Sequence, residues 1–200
     1  MGVAFLGWLF IESTKPLPGE KQAYNCDNFV DFSKLGDLNT SDKCRVHVPP
    51  GTEVKYNSNP PVFGPHYGDW IRAGVYTEVK DDRNLVHSLE HGYVIMSYRC
   101  NTSVIASGAK QSSSSGEIAS GSANPRKDDV NICDQRKSQL EAVYNKKGKK
   151  KLIVVPRPNL DSNFALSAWQ YLDKFDSFDQ SRVEKFIDAH LENGPERTME

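Results

Sequence analysis

Four of the five histidines in the chain lie between residues 47 and 91, at His47, His66, His87 and His91. Imidazole is the commonest protein ligand for a transition metal, and it is the side chain whose charge changes nearest neutral pH. Ligation by several nitrogen atoms suits zinc or copper, whereas magnesium and calcium prefer oxygen ligands. The cluster predicts a site for zinc or copper, with His66, His87 and His91 as ligands and His47 as a further candidate.

Two other side chains, Glu90 and Tyr67, stand beside these histidines in the sequence. A metal-bound imidazole is usually oriented through its second ring nitrogen by a carboxylate, a carbonyl or a water molecule. Glu90 and Tyr67 are candidates for that role. In an enzyme they would instead be the catalytic residues that move protons, since a bound zinc ion lowers the pKa of its water to about 7.

Residues 87–91 read His-Ser-Leu-Glu-His and match the inverted zinc-protease motif H-x-x-E-H. In that motif both histidines bind zinc and the glutamate is the general base, but the sequence singles out no distant glutamate as the third ligand. Three hypotheses stay open. The first is a protein that binds, stores or delivers a metal ion, and the second is a metal-dependent hydrolase or other metalloenzyme. The third is an interaction module whose histidines bridge hydrogen bonds within loops, without a metal.

The first two histidines, His47 and His66, are expected outside the helices. Residues 57–78 contain too many prolines and glycines for a helix or a central strand, while their aromatic residues argue against disorder. We expect a long ordered loop there, carrying His66. A brief strand over residues 45–48 would carry His47.

The other two histidines are expected on a short helix over residues 82–91. An aspartate can cap its start and Gly92 can end it. His87 and His91 would then lie one turn apart on the same face. Residues 93–100 follow as a nearly continuous apolar run, which is typical of a buried strand.

Predicted helices and strands follow one another in the second half of the chain. A Ser-rich, low-complexity insertion, expected to be mobile, covers residues 103–129. A helix is predicted over 134–147, a strand over 151–155, a strand over 164–175 and a helix over 177–192. This order predicts an α+β fold or an α/β sandwich, with a mixed sheet and a thioredoxin-like second half as one arrangement.

Length and charge fit a single folded domain, which we expect over residues 26–200. The chain has 200 residues and a formal net charge of −1, which gives no reason to expect nucleic acid as a partner. Residues 3–11 are apolar, but about twenty such residues are needed to span a bilayer. This run is therefore either the outer end of a membrane anchor, which we favour, or a buried first strand. The remainder of residues 1–25 is expected to be a linker.

The four cysteines, Cys26, Cys44, Cys100 and Cys133, include no CxxC pair of the kind found in zinc knuckles and redox motifs. Of the three possible connectivities, Cys26–Cys44 and Cys100–Cys133 are favoured because each pair brackets one irregular segment. The alternative is four free thiols in a cytosolic protein. Disulfides persist in oxidising compartments, so the favoured pairing predicts an extracytoplasmic protein, secreted or anchored to a membrane facing outward.

Several segments of the chain together resemble one known family: residues 13–20, 56–70, 74–76, 85–98, 154–161 and 172–196. The most specific are NPPVFGPHY at 59–67 and VHSLEHG at 86–92, because they combine uncommon residue types at a defined separation. By these segments the chain resembles the family catalogued as domain of unknown function 3105. The resemblance implies an extracytoplasmic protein, often behind an N-terminal membrane segment. It supports the choice of residues and implies no activity.

Overall fold

The computed structural model describes residues 16–36, 41–100 and 127–198, and within them the chain has an α+β fold, as the sequence predicts. The strands are β1 (Glu20–Lys21), β2 (Gly74–Val75), β3 (Val94–Tyr98), β4 (Leu152–Pro156), β5 (Phe164–Ala168) and β6 (Tyr171–Phe175). The α-helices are α1 (Asp82–Glu90), α2 (Lys127–Lys146) and α3 (Gln180–His190). None of these helices is both long enough and apolar enough to cross a membrane.

The strands form one mixed sheet in the order β1-β6-β5-β3-β4-β2. β3 and β4 are parallel, with Ile95 opposite Ile153, and β2 pairs in parallel with β4. β5 pairs antiparallel with both β3 and β6, and the short β1 pairs antiparallel with β6. From β3 to α3 the order is strand, helix, parallel strand, hairpin and helix.

The central strands are buried on both faces. On β3, Val94 packs in one apolar cluster with Leu140 of α2 and Phe186 of α3. Its neighbour Ile95 packs in the opposite cluster, with Leu89 of α1. Burying one such side chain stabilises the fold by about 1.5–3 kcal/mol. Successive side chains of β3 thus point to opposite faces of the sheet, and those on the face of Ile95 hold α1 in place.

Two segments differ from the sequence-based expectation. Residues 164–175 were expected as one strand, but they form the hairpin β5–β6. Its turn places Gln170 in the left-handed region, at φ 67°. Glu20 and Lys21 were expected to belong to a linker, but they pair with β6 and form β1. The chain before the first cysteine therefore contributes an edge strand to the sheet.

Helix α2 begins at Lys127, so residues 127–129, expected at the end of the Ser-rich insertion 103–129, belong to a helix. The rest of that insertion lies outside the described residues. The membrane anchor expected at residues 3–11 lies outside them as well.

Both predicted disulfides are present. Cys26 bonds to Cys44 and Cys100 bonds to Cys133, each pair with Cα atoms 5.3 Å apart, and no cysteine is free. For sequence separations of 18 and 33 residues, the chain-entropy model predicts about 3–4 kcal/mol of stabilisation each. Two disulfides suggest an oxidising, extracytoplasmic environment, because thiols are kept reduced in the cytosol.

Candidate metal centre

Helix α1 and its C-terminal cap carry His87, Glu90 and His91. Asp81 caps the start of the helix, and its carboxylate accepts a hydrogen bond of 2.9 Å from the backbone N–H of Arg83. It packs on the sheet through Leu85, Val86 and Leu89. His87 and Glu90 are three residues apart, so their side chains are neighbours on the helix surface.

The loop that carries His66 runs through the interior, and residues 60–66 are all buried. Gly64 has φ 135°, and a Cβ atom there would lie 2.8 Å from the ring of Tyr56. The hydroxyl of Tyr56 donates to the carbonyl of Pro65 at 2.7 Å and fixes the loop next to the histidine. A glycine is therefore required where the chain turns His66 inward.

The sequence predicted a brief strand over residues 45–48, and the structure has a single β-bridge there, which brings His47 to the site. His47 and His66 form this parallel bridge. The N–H of Val48 donates to the carbonyl of His66 at 2.7 Å, and the N–H of His66 donates to the carbonyl of Val46 at 3.0 Å. The bridge places the two imidazole centroids 4.9 Å apart.

Four side chains converge on one point: His47, His66, His87 and Glu90 each offer one ligand atom, and these atoms all lie within 4.8 Å of one another. The centroids of the three imidazoles are almost equally spaced, at 4.8, 4.9 and 5.0 Å. Oε2 of Glu90 lies 2.9 Å from Nε2 of His66 and 3.7 Å from Nε2 of His47. Imidazole nitrogen and carboxylate oxygen are both ligands of zinc, so the donor set fits such an ion.

Hydrogen bonds fix which ring nitrogen faces this point in the two buried imidazoles. Nδ1 of His66 donates to the carbonyl of Gly64 at 2.7 Å, and Nδ1 of His87 donates to the carbonyl of Tyr67 at 2.7 Å. A carbonyl oxygen only accepts, so both Nδ1 atoms carry the hydrogen and Nε2 is left to bind. Backbone carbonyls orient metal-bound histidines in the same way.

Nε2 of His66 faces Oε2 of Glu90 at 2.9 Å, although neither atom has a hydrogen of its own when the imidazole is neutral. Two such acceptors attract each other only when a proton or a metal cation lies between them. Either a proton or a metal ion between the two atoms accounts for this contact, so the pair can serve as two ligands of one cation.

The pKa values of His87 and Glu90 favour the protonation states in which these two side chains bind a metal ion. Burial and the neighbouring imidazoles of His66, His91 and His47 lower the pKa of His87 to about 4. Burial by itself raises the pKa of Glu90, but hydrogen bonds and charge attraction from His66 and Arg45 outweigh it and lower that pKa to about 2. At neutral pH His87 is therefore uncharged and Glu90 is ionised, as metal ligation requires.

Arg45 belongs to the site, although sequence reasoning did not select it. Its Nε donates to Oε1 of Glu90 at 2.6 Å, which leaves Oε2 of that carboxylate for the imidazoles. The two residues are 45 positions apart in the chain, and no local pattern links them. Arg45 orients Glu90 in the way that hydrogen-bonded neighbours orient metal-binding carboxylates.

His91 and Tyr67 lie beside the group formed by His47, His66, His87 and Glu90. Nε2 of His91 contacts Nε2 of His87 at 3.0 Å. The hydroxyl of Tyr67 accepts the N–H of Gly51 at 3.0 Å, and its ring lies under the guanidinium of Arg83. The contact of Tyr67 with the group is its backbone carbonyl, so a role for its hydroxyl in proton transfer stays a prediction without a supporting contact.

Two indole rings cover the imidazoles. The ring of Trp70 lies 4.8 Å from that of His91 and 5.5 Å from that of His87, measured between centroids. The ring of Trp169 lies 6.5 Å from that of His66. Trp70 therefore packs against the site.

A family model described as Protein of unknown function (DUF3105) matches residues 47–110 and 128–200. The matched part includes all four members of the His47, His66, His87 and Glu90 group, whereas Arg45 precedes it. No curated protein and no solved structure matches the chain. Because the match covers well over half of the sequence, the chain belongs to the family described as Protein of unknown function (DUF3105).

Proposed function

We propose that this protein binds one zinc or copper ion outside the cytoplasm, through His47, His66, His87 and Glu90. One observation carries the proposal: one ligand atom from each of these four side chains lies within 4.8 Å of the others, and both buried imidazoles donate from Nδ1 to a backbone carbonyl, which leaves Nε2 as the ligand atom. Three nitrogen atoms and one oxygen atom suit zinc, and copper also binds imidazole well.

The exposure of the four ligands supports a role in holding and passing on an ion. The side chain of His47 is 51% exposed, whereas that of Glu90 is 1% exposed. His66 and His87 are buried as well. An ion can enter or leave on the His47 side while the other three ligands stay in place. Storage or delivery of the metal, by a protein that is secreted or anchored to a membrane, is the function that we propose.

A hydrolase that uses Glu90 as general base has less support. An efficient general base has a pKa near the working pH. The pKa of Glu90 is lowered to about 2, and its Oε1 already accepts a hydrogen bond from Arg45. In the protease motif His87 and His91 would both bind zinc, but here Glu90 joins the group and His91 lies outside it.

The first experiment is elemental analysis of protein secreted from cells and purified without an affinity tag. We expect one zinc or copper ion per chain. His87→Gln and His66→Gln should reduce the bound metal to a small fraction of that amount. His190→Gln is the matched control, because His190 is equally buried and donates to the carbonyl of Pro18 at 2.7 Å, outside the group.

The outcomes separate the hypotheses. Wild-type protein without stoichiometric metal, and unable to take up zinc or copper on dialysis, would contradict the proposal and favour the interaction module. Equal loss of metal in His190→Gln and His87→Gln would show that the loss follows from misfolding. Glu90→Gln distinguishes a ligand from a base. A ligand role predicts a loss of affinity greater than the roughly 10–100-fold that an outer partner contributes.

A further inference from the structure

Arg157 follows β4 directly and is anchored to the sheet by its backbone. The last residue of β4, Pro156, lies opposite Tyr98 at the end of the parallel strand β3. The N–H of Arg157 donates to the carbonyl of Tyr98 at 2.8 Å and so continues the ladder. The side chain of Arg157 is only 15% exposed. The guanidinium therefore extends from a fixed point of the sheet.

This guanidinium joins two separate pieces of the chain. Its Nη1 and Nη2 donate to the two carboxylate oxygens of Asp82, at 2.6 and 2.8 Å. Its Nε donates to Oδ1 of Asn59. The amide of Asn59 in turn donates from Nδ2 to the carbonyl of Asn159 at 2.7 Å. Because the guanidinium is planar and rigid, it holds its two partners in one fixed arrangement.

The two pieces that Arg157 joins are the ones that carry the buried ligands. The buried part of the loop begins directly after Asn59 and ends in His66. Helix α1 begins at Asp82 and carries Glu90. Nε2 of His66 and Oε2 of Glu90 lie 2.9 Å apart, across the contact between loop and helix. Since a metal site requires ligand distances accurate to about 0.2 Å, the loop and the helix must keep their relative placement.

We propose that Arg157 is a positioning residue of the metal centre, which holds the His66 loop and α1 in the placement where their side chains can bind one ion. The inference rests on the metal site proposed above. Arg157 acts through Asn59 on the loop and through Asp82 on the helix. These hydrogen bonds are made before any metal binds, so they preorganise the ligands and lower the cost of ordering them.

The test uses Arg157→Lys in the full chain. Lysine keeps a positive charge near Asp82 but has a single ammonium in place of the planar fork. Zinc affinity is measured by competition with a chromophoric chelator, under conditions where urea unfolding shows each variant to be folded. Mutations that act on a site without contacting its ligand change affinity by up to about thirtyfold, and we expect a roughly tenfold higher zinc dissociation constant in Arg157→Lys.

Arg182→Lys is the matched control. Arg182 on α3 also makes two hydrogen bonds to one carboxylate, that of Asp173 on β6, at 2.8 and 2.6 Å. It joins a different helix to the sheet, so its replacement should leave the zinc dissociation constant unchanged. An equal loss of zinc affinity in Arg182→Lys and Arg157→Lys would overturn the proposal.

The visible absorption spectrum of the cobalt(II)-loaded protein gives a second measurement, because it depends on the geometry of the ligands and not on the free energy of unfolding. We expect the spectrum to change in Arg157→Lys and to match wild type in Arg182→Lys. A zinc affinity or a cobalt spectrum of folded Arg157→Lys that equals that of wild type would overturn the proposal.

Asn59→Ala keeps the ion pair between Arg157 and Asp82 and removes only the link to the loop. It should also raise the zinc dissociation constant, and it replaces Arg157→Lys in the test if that variant does not fold. In the double variant the two effects should be clearly less than additive, because both changes break the same link. Fully additive effects would contradict an action through Asn59. Absence of zinc from wild-type protein would instead overturn the metal site itself, so the two failures can be told apart.

Discussion

Nε of Arg45 donates to Oε1 of Glu90 at 2.6 Å, while the other oxygen of that carboxylate faces the imidazoles. In the proposed site, one oxygen atom of Glu90 thus pairs with a permanent cation of the protein and the other is left for an exchangeable one. Arg45 is a third exposed and Glu90 is almost fully buried, so the carboxylate depends on compensation from its neighbours.

Arg45→Met is expected to destabilise the metal-free protein by about 2–3 kcal/mol, somewhat less than the 3–5 kcal/mol typical when a fully buried ion pair loses one partner. With zinc bound the loss should be smaller, because the metal compensates the charge of Glu90. Urea unfolding with and without zinc measures both values. Arg182→Met is the control: Arg182 makes hydrogen bonds of 2.8 and 2.6 Å to Asp173, and its loss should be the same with and without zinc. A loss in Arg45→Met that zinc does not reduce would contradict the shared role of Glu90.

His47→Ala and His91→Ala decide which histidine completes the ligand set. We expect His47→Ala to lower zinc affinity by at least tenfold, because a ligand is lost, with little effect on folding since the side chain is half exposed. His91→Ala should still bind one zinc per chain. Calorimetric titration of both variants gives the stoichiometry and the affinity. The opposite pattern would return His91 to the ligand set in place of His47.

The stability of the metal-free protein should fall on acidification because of His87. Its pKa is about 4 in the folded chain and 6.5 for the free side chain, so the unfolded state takes up the proton first. The contribution of neutral His87 to the free energy of unfolding is complete above pH 6.5 and is lost as the pH falls towards 4. At 1.36 kcal/mol per pKa unit it amounts to about 3 kcal/mol. Glu90, whose pKa is about 2, loses its own contribution only below pH 4.5.

Urea unfolding of metal-free wild type and His87→Gln at pH 7.5 and pH 4.5 tests this. Lowering the pH from 7.5 to 4.5 should destabilise wild type by about 2–3 kcal/mol more than it destabilises His87→Gln. A difference that does not depend on pH would mean that His87 titrates normally in the folded chain.

The two disulfides should differ in their effect on metal binding. Cys44 is next to Arg45 in a short 3-10 helix, so the Cys26–Cys44 bond holds the guanidinium at the site. Replacing both cysteines of either pair by serine should reduce stability by about 3–4 kcal/mol. Only loss of Cys26–Cys44 should also weaken zinc binding, when both variants are compared at a temperature where they remain folded. Equal zinc affinities in the two variants would contradict this placement of Arg45.

Local sequence patterns were enough to predict the elements that depend on local interactions. An aspartate cap, apolar residues at helical spacing and the stop at Gly92 predicted α1, because each acts within a few residues of the chain. The same reasoning missed the hairpin within residues 164–175. Its turn uses Gln170 at φ 67°, without the glycine or asparagine that usually indicates such a turn.

The sequence by itself determined the family, the fold class and the set of side chains from which a metal site could be built. It favoured the disulfide pairing that the structure shows, without excluding the other connectivities. Tertiary structure alone decided how those side chains combine. Glu90 and His91 follow His87 by three and four residues, and helical spacing makes both of them its neighbours. The bridge between His47 and His66 lies on the Glu90 side of α1, and Arg45 arrives there from 45 residues away. Contacts across such separations depend on how the loop packs against the helix, and no local pattern encodes them.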